Sequence, residues 1–148
     1  MSTLVAVDLA EVDSLIRGET GGRPSAPGWP HDDTSAGLGF IRSGGSGFLI
    51  LDDEGRIAGE CGTKTPPGDD GTVEIGYGLA GPSRGHGLGS RAVAQLVDWL
   101  AALPEVSAIE AEIHASNAPS RRIVEKLGFV PDSGDAAGYL RYRLAVTH

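Results

Sequence analysis

What this sequence lacks narrows its possible roles. It has one cysteine, Cys61, which excludes an internal disulfide, and we expect that residue to be a small buried side chain of a strand. No stretch approaches the roughly 18 apolar residues that a transmembrane helix needs, so we expect no membrane partner. The histidines show no metal-ligand spacing, and no metal is expected.

An excess of positive charge is also missing. The 12 lysines and arginines are outnumbered by 20 aspartates and glutamates, and the formal net charge is -8. Because binding of nucleic acid needs a clustered basic surface, we expect no nucleic-acid partner. The amino end lacks a basic leader followed by an apolar stretch, so we expect no signal peptide and predict a cytoplasmic protein.

Helix and strand patterns alternate along the chain. Apolar residues at helical spacing predict helices in "LAEVDSLIRGE", "RAVAQLVDWLAAL" and "NAPSRRIVEKLGF", with a short strand before the first. Short or alternating apolar runs predict a hairpin in "SGFLILDDEGRIAGECGTK" and strands in "TVEIGYGLA", "VSAIEAEIHA" and "GYLRYRLAV". With a length of 148 residues, near the commonest domain size, the pattern predicts one mixed α/β domain over residues 1–148.

The segment "SRGHGLGSR", residues 83–91, is a glycine-rich turn between a strand and a long helix. The first N–H groups of a helix have no internal partner, so such a turn is either a cradle for phosphate or a flexible connection. A P-loop is excluded because Gly89 is followed by Ser90 and Arg91 rather than by Lys and Ser or Thr. A dinucleotide fingerprint fits poorly because Ser90 stands where its third glycine belongs.

Neighbouring motifs give this turn a family context. Arg84, Gly87 and Gly89 match the pattern Arg/Gln-x-x-Gly-x-Gly/Ala, "EIGYGL" precedes it, and "NAPSRRIVEKLGF" follows about thirty residues later. In this order the motifs resemble the GNAT acetyltransferase superfamily, in particular its branch of ribosomal-protein N-terminal acetyltransferases. The resemblance implies an α+β fold whose mostly antiparallel sheet is splayed between two strands to hold acetyl-CoA, with helices on both faces.

The resemblance also implies which residues bind acetyl-CoA. Backbone groups of Leu79 and the side chain of Asn117 would contact the pantetheine arm, Ser120 would lie near the sulfur, and N–H groups of residues 85–90 with Arg84 would hold the pyrophosphate. Asn117 also fits the cap of its own helix. The full implied set is Leu79, Arg84, Gly85, His86, Gly87, Leu88, Gly89, Ser90, Asn117 and Ser120, and the His86 side chain is expected to point outward.

Attack of an amine on a thioester needs a group that removes a proton and one that protonates the leaving thiolate. Glu74, on the glycine-lined face of its strand, is the expected base, and the alternative is a solvent-facing strand residue. Many members of the superfamily carry a tyrosine acid where this chain has Val124. The resemblance therefore favours Ser120 as the acid, with Tyr139 and Tyr142 as alternates.

The acceptor region is assigned to the loop before residue 34. "TGGRPSAPGWP" is dense in glycine and proline and predicts a mobile loop or a lid. By the resemblance, Trp29 and His31 would contact the acceptor; alternatively, Trp29 anchors the loop and His31 caps the helix after it. Glu112 and His114 would line the floor of this site, or face solvent.

These observations predict an acetyl-CoA-dependent N-acetyltransferase that acts on a primary amine of a small molecule or of a protein N-terminus. An acidic pocket would favour a cationic amine, and the net charge agrees weakly with that. A homodimer is compatible with the resemblance. The alternative is a non-catalytic acyl-CoA-binding sensor or interaction module, to which the valine at the tyrosine position points.

Overall fold

The computed structural model describes residues 3–148; Met1 and Ser2, with which the predicted domain begins, lie outside the described residues. Short 3-10 helices and four α-helices connect the strands of one sheet within this range. The α-helices are α1 Val12–Ile16, α2 Thr34–Gly39, α3 Leu88–Ala101 and α4 Ala118–Lys126. The strands are β1 Leu4–Ala6, β2 Gly47–Leu51, β3 Ile57–Thr63, β4 Thr72–Leu79, β5 Ala108–His114, β6 Val130–Gly134 and β7 Tyr139–Ala145.

The sheet has the order β1-β2-β3-β4-β5-β7-β6, and all neighbouring strands are antiparallel except β4 and β5. The parallel pair is joined only where residues 72–75 of β4 lie beside residues 108–111 of β5. Beyond Ile75 and Ala111 both strands continue without pairing to each other. The predicted α+β fold, with a mostly antiparallel sheet splayed between two strands, is confirmed.

Two apolar clusters cover the two faces of the sheet. The larger one packs α3 and α4 on strand residues such as Ile75 and Ile109. The smaller one packs α1 and α2 on Leu49 and Ile57. Because successive strand residues point to opposite faces, Leu49 belongs to the smaller cluster and Ile50 to the larger. The prediction of helices on both faces is therefore confirmed.

The helices α3 and α4 begin and end near the residues that the sequence analysis identified as helix-terminating or capping. The buried residues of α3 follow the helical period: Leu88, Gly89, Ala92, Val93, Leu96, Val97 and Leu100. Pro104 lies shortly beyond its end. At α4, the Oδ1 atom of Asn117 accepts a hydrogen bond from the Ser120 N–H at 3.3 Å, and Gly128 follows the helix with φ of 98°.

Two parts of the chain differ from the sequence-based expectation. The stretch predicted as a mobile loop or lid is tied to β3: the Ala26 N–H donates to the Ile57 carbonyl, the Ile57 N–H donates to the Pro24 carbonyl, and Trp29 is buried. The sequence analysis also does not predict β6, which contains Pro131 and is exposed throughout. Proline is tolerated in β6 because this strand is the edge of the sheet.

Truncation of the side chain at the centre of α3 should destabilise the fold. Leu96 has no exposed surface in the larger cluster, so Leu96→Ala should lower the free energy of unfolding by about 2 to 5 kcal/mol, measured by urea denaturation. Asp98→Ala, an exposed change on the same helix, should stay within about 0.5 kcal/mol of the wild type. Equal effects of the two substitutions would contradict this packing.

Candidate active site

Two adjoining cavities lie at the splay of β4 and β5. The first, called the large cavity, has a volume of about 940 Å³, and the second, the small cavity, has about 340 Å³. Asp33, Tyr77 and Gly78 line both, so the cavities meet beside the middle of β4. The large cavity is lined by Asp33, Ile50, Tyr77, Gly78, Leu79, Arg84, Gly85, Gly87, Gly89, Ser90, Asn117, Pro119, Ser120, Arg122, Ile123, Glu125 and Lys126.

The glycine-rich turn forms one wall of the large cavity. Gly85 and Gly87 have φ of 82° and 80°, in the left-handed region that L side chains rarely adopt, although an added Cβ would meet no atom within 4 Å at either position. The positive φ, and not a lack of space for a side chain, is therefore the reason for glycine at these two positions. Gly87 is the N-cap of α3, so the unpaired N–H groups of the first turn lie beside the cavity. This geometry suits an anion.

Cationic side chains exceed anionic ones around the large cavity. Arg84, Arg122 and Lys126 line it together with Asp33 and Glu125. The Arg84 Nε atom donates to the carbonyl oxygen of Leu79 at 3.2 Å. The guanidinium therefore already satisfies a backbone acceptor that the resemblance assigns to pantetheine. Of the predicted cofactor residues, His86 is exposed and Leu88 is buried in the core, and neither lines the cavity.

The region where the cavities meet is closed by a tyrosine from β4 and the start of α4. The Tyr77 hydroxyl donates to the backbone carbonyl of Ser120 at 3.3 Å. Burial raises the pKa of Tyr77 above its usual range, so the phenol stays protonated at neutral pH. Tyr77 was not predicted as a site residue because it shares the alternation of the apolar residues along β4 that pack the core. The two neighbouring glycines, Gly76 and Gly78, were the feature of the sequence that could have indicated its role.

The two tyrosines considered as alternate acids lie elsewhere. Tyr142 is fully buried, its hydroxyl donating to Glu125 at 2.9 Å and accepting from Arg121 at 3.1 Å. The ring of Tyr139 packs edge-on against His114. Neither tyrosine lines either cavity, whereas Ser120 lines the large one.

A buried carboxylate lies at the small cavity, between α2 and the sheet. Glu60 is 3% exposed and was not singled out from the sequence. The indole Nε1 of Trp29 and the hydroxyl of Thr34 donate to its Oε2 atom at 2.9 and 3.2 Å. Burial raises the pKa of Glu60 and outweighs these donors and the neighbouring His31, which lower it.

His31 contacts the same carboxylate from the other side. Its Nε2 atom lies 2.6 Å from Glu60 Oε1 outside hydrogen-bond geometry, and Nε2 has no hydrogen-bond partner among residues 3–148. The His31 ring lies across Gly78, where an added Cβ would be 2.9 Å from Cε1. Gly78 is therefore needed for this ring position.

Trp29 and His31 thus lie beside the small cavity, near the predicted acceptor site, but their side chains contact Glu60 and not the cavity itself. Neither lines a cavity. Trp29 anchors the loop, and the Nδ1 atom of His31 accepts from the Asp33 N–H at 3.2 Å beside the start of α2. The Trp29 contact agrees with the structural alternative that the sequence analysis left open, whereas the N-cap of α2 is Asp33 and no side chain of the described residues, including that of His31, caps this helix.

Glu74, the expected base, is ion-paired. Its carboxylate lies 2.6 Å from Lys64 Nζ and 3.7 Å from Arg141 Nη1, and it lines neither cavity. Glu112 does line the small cavity, paired with Arg141 at 2.9 Å. His114 instead contacts Ser116, through Nδ1 and Oγ at 2.6 Å. A catalytic role of Glu74 stays a prediction.

Residues 3–148 contain no group of three or more His, Cys, Asp or Glu side chains placed to hold a metal ion. Within the same range, every helix is too short or too polar to cross a bilayer.

Comparisons with known proteins agree with the fold. The family model of the acetyltransferase (GNAT) domain matches residues 9–130. A curated relative, the "Uncharacterized N-acetyltransferase YjdG" of Bacillus subtilis, is 29% identical in an alignment of length 112 that covers 69% of this chain and 67% of that protein.

Solved structures share the fold at low identity. A ribosomal L7/L12 alpha-N-protein acetyltransferase in complex with coenzyme A matches with a TM-score of 0.71 and 18% identity, over 99% of this chain and 96% of that one. A spermidine N-acetyltransferase from Vibrio cholerae, described as dodecameric, matches with a TM-score of 0.71 and 14% identity, over 97% and 92% of the two chains.

The buried carboxylate should make stability depend on pH. Because the pKa of Glu60 is higher in the folded than in the unfolded chain, the unfolded chain loses this proton first as pH rises above about 4. The unfolding free energy of the wild type should therefore fall relative to that of Glu60→Gln as pH rises through the folded pKa. Urea denaturation at a series of pH values measures this difference, and a difference that rises with pH would contradict it.

Proposed function

Since this chain belongs to the GNAT acetyltransferase family, we propose that it is an acetyl-CoA-dependent N-acetyltransferase acting on a primary amine of a small molecule or of a protein N-terminus. The observation that carries the proposal is the contact between the two cavities. One has an anion-binding helix start on its wall, and the other contains a buried carboxylate. A phosphate-bearing donor and an amine acceptor therefore have separate sites that meet at Tyr77 and Gly78.

The residues around the large cavity fit acetyl-CoA. The loop N–H groups and Arg84 would hold the pyrophosphate, and Arg122 and Lys126 add positive charge at the same cavity. The unpaired half of β4 and Asn117 would contact the pantetheine arm. When bound, the cofactor supplies an activated acetyl group as a thioester. Support also comes from the structural relative that is described as a complex with coenzyme A.

Ser120 is our proposed proton donor for the leaving sulfur. It lines the large cavity next to the junction, and its backbone carbonyl accepts a hydrogen bond from Tyr77. Tyr77 is a second hydroxyl at the same place and is the alternative donor. Glu74 is the base that the sequence predicts, and it would act only after its ion pair with Lys64 opens.

The proposal also includes the domain organisation, the oligomeric state, the acceptor contacts and the location of the protein. We propose that the chain forms one acetyltransferase domain, supported by the continuous sheet over residues 3–148. A homodimer stays a prediction; the spermidine N-acetyltransferase that shares the fold is itself described as dodecameric. Trp29 and His31 would act on the acceptor through Glu60. A cytoplasmic location also stays a prediction of the sequence.

A non-catalytic acyl-CoA sensor is the second candidate. Val124, at the position of the tyrosine acid of many relatives, is fully buried in the core and can donate no proton. Thiol release with any amine separates the two functions, since a sensor would bind acetyl-CoA without turnover.

Disruption of the glycine-rich turn should abolish cofactor binding. Arg84→Ala combined with Gly87→Val removes a charged donor and places a β-branched residue at a φ of 80°. Isothermal titration calorimetry should show acetyl-CoA affinity reduced at least tenfold, which corresponds to about 1.4 kcal/mol. The matched control, Arg17→Ala with Gly55→Val, makes the same changes away from the cavities and should bind like the wild type. Equal binding by all three proteins would sink this site assignment.

Removal of the Ser120 hydroxyl should affect turnover more than binding. We expect Ser120→Ala to lower kcat for thiol release by roughly a hundredfold or more, the range of general acid catalysis. Its Kd for acetyl-CoA should stay within about threefold, because backbone groups supply most of the contacts. Ser133→Ala on the exposed edge strand is the control. Undiminished turnover in Ser120→Ala, with a loss in Tyr77→Phe, would transfer the role to Tyr77.

A further inference from the structure

Glu60 differs from the other carboxylates on its face of the sheet. Glu74 pairs with Lys64, Glu110 with Arg143, and Glu112 with Arg141. In the part of the chain that the structure describes, Glu60 has neither a lysine nor an arginine within ion-pair distance, and only His31 approaches it with a titratable nitrogen. The most buried carboxylate of this face is thus the one without an arginine or lysine partner.

Neutral donors fix the position of this carboxylate. Trp29 and Thr34 both bond to Oε2, which leaves Oε1 facing His31. A glutamine could accept the same two hydrogen bonds without the desolvation penalty of a buried charge. The contacts that support the fold therefore explain a polar group at position 60 but do not require an ionised one.

The carboxylate lies where the two cavities adjoin. Glu60 lines the small cavity and is paired in the β3–β4 register with Gly78, which lines both cavities. An added Cβ on Gly78 would lie 3.6 Å from Glu60 Oε1, and one on Gly37 would lie 3.3 Å from Glu60 Cγ. Gly37 and Gly78 therefore allow close packing around Glu60, with the His31 ring over Gly78, while Glu60 itself lines the small cavity.

We propose that Glu60 is the acceptor-side catalytic residue, and that the small cavity takes a cationic amine whose ammonium group Glu60 binds and deprotonates. This inference rests on the proposed acetyl transfer. The charges around the cavity agree with it, since three carboxylates, Asp33, Glu60 and Glu112, line it against one cation, Lys64. Lys64 is itself paired with Glu74, outside the lining. The amine supplies the cationic partner that no lysine or arginine of the described residues provides for Glu60.

The proton balance of the step is simple. The ammonium gives one proton to the Glu60 carboxylate, and the neutral nitrogen then forms a bond to the thioester carbonyl carbon. The carbon–sulfur bond breaks, the sulfur leaves with its electron pair, and the second proton of the nitrogen reaches it through the Ser120 hydroxyl. Glu60 returns its proton to solvent. Because burial raises the pKa of Glu60, it is a stronger base than an exposed glutamate.

The test compares Glu60→Gln with the wild type and with Glu110→Gln, a carboxylate of the same sheet face that lines neither cavity. With putrescine as the acceptor, Glu60→Gln should lower kcat/KM by about a hundredfold or more and leave acetyl-CoA binding within about threefold. Glu110→Gln should keep the wild-type kcat/KM. Retention of kcat/KM in Glu60→Gln would overturn the proposal.

The pH profile separates catalysis from a structural role. The other titratable groups around Glu60 are His31, Asp33, Cys61, Lys64, Tyr77 and Glu112. If Glu60 is the base, the acidic limb of the wild-type kcat/KM profile disappears in Glu60→Gln, whereas a purely structural residue would lower the whole profile uniformly. A uniformly lowered profile would overturn the catalytic role.

A binding measurement without acetyl-CoA makes the test independent of turnover, and the retained acetyl-CoA binding of Glu60→Gln shows that this variant is folded. The wild type should bind putrescine at least tenfold more tightly than the uncharged butanediol, and Glu60→Gln should lose this preference. Equal binding of the two probes to the wild type, or an unchanged preference in Glu60→Gln, would overturn the inference. Absence of acetyl-CoA binding by the wild type would instead refute the proposed function.

Discussion

The parallel pairing of β4 with β5 stops halfway along β4, and the site depends on this interruption. Residues 76–79 of β4 are still paired with β3 on one side, so their backbone groups on the other side face a gap. Unpaired backbone groups inside a protein need polar partners. Arg84 satisfies one of them, the Leu79 carbonyl, and the rest are available to a ligand that lies between the strands. The gap is therefore a binding site made by strand geometry.

The two faces of β3 and β4 differ in polarity: one packs against the larger apolar cluster, and the other carries Glu60. Cys61 belongs to the larger apolar cluster, and burial raises the pKa of its thiol to about 12, so it stays neutral and unreactive. Its neighbour Glu60 points to the opposite face, where α2 and the loop before it supply polar donors. Both residues line the small cavity, but the Cys61 side chain packs in the apolar core, whereas the Glu60 carboxylate accepts hydrogen bonds from polar donors.

Local patterns were enough to predict most of the helices and strands, and the family resemblance added one side of the proposed site. Period and capping residues predicted α3 and α4, whereas only the resemblance assigned the glycine-rich turn with Arg84 and Gly87 to phosphate. The importance of Glu60 could not be predicted in this way, because it depends on Trp29 and Thr34, about thirty residues away, and on Lys64 pairing with Glu74 instead. Tyr77 was missed because a tyrosine in an alternating strand has the same pattern whether it packs the core or closes a cavity.

The left-handed conformation of Gly85 and Gly87 has a consequence for how such chains diverge. Any residue with a Cβ at these positions strains the folded backbone, whether or not a ligand is ever bound. Folding alone therefore preserves the glycines, and a descendant that had lost its chemistry would retain them. Glu60 is the opposite case, since folding tolerates a neutral substitute there. An ionised residue at position 60 is thus a more sensitive record of retained activity than the glycine pattern.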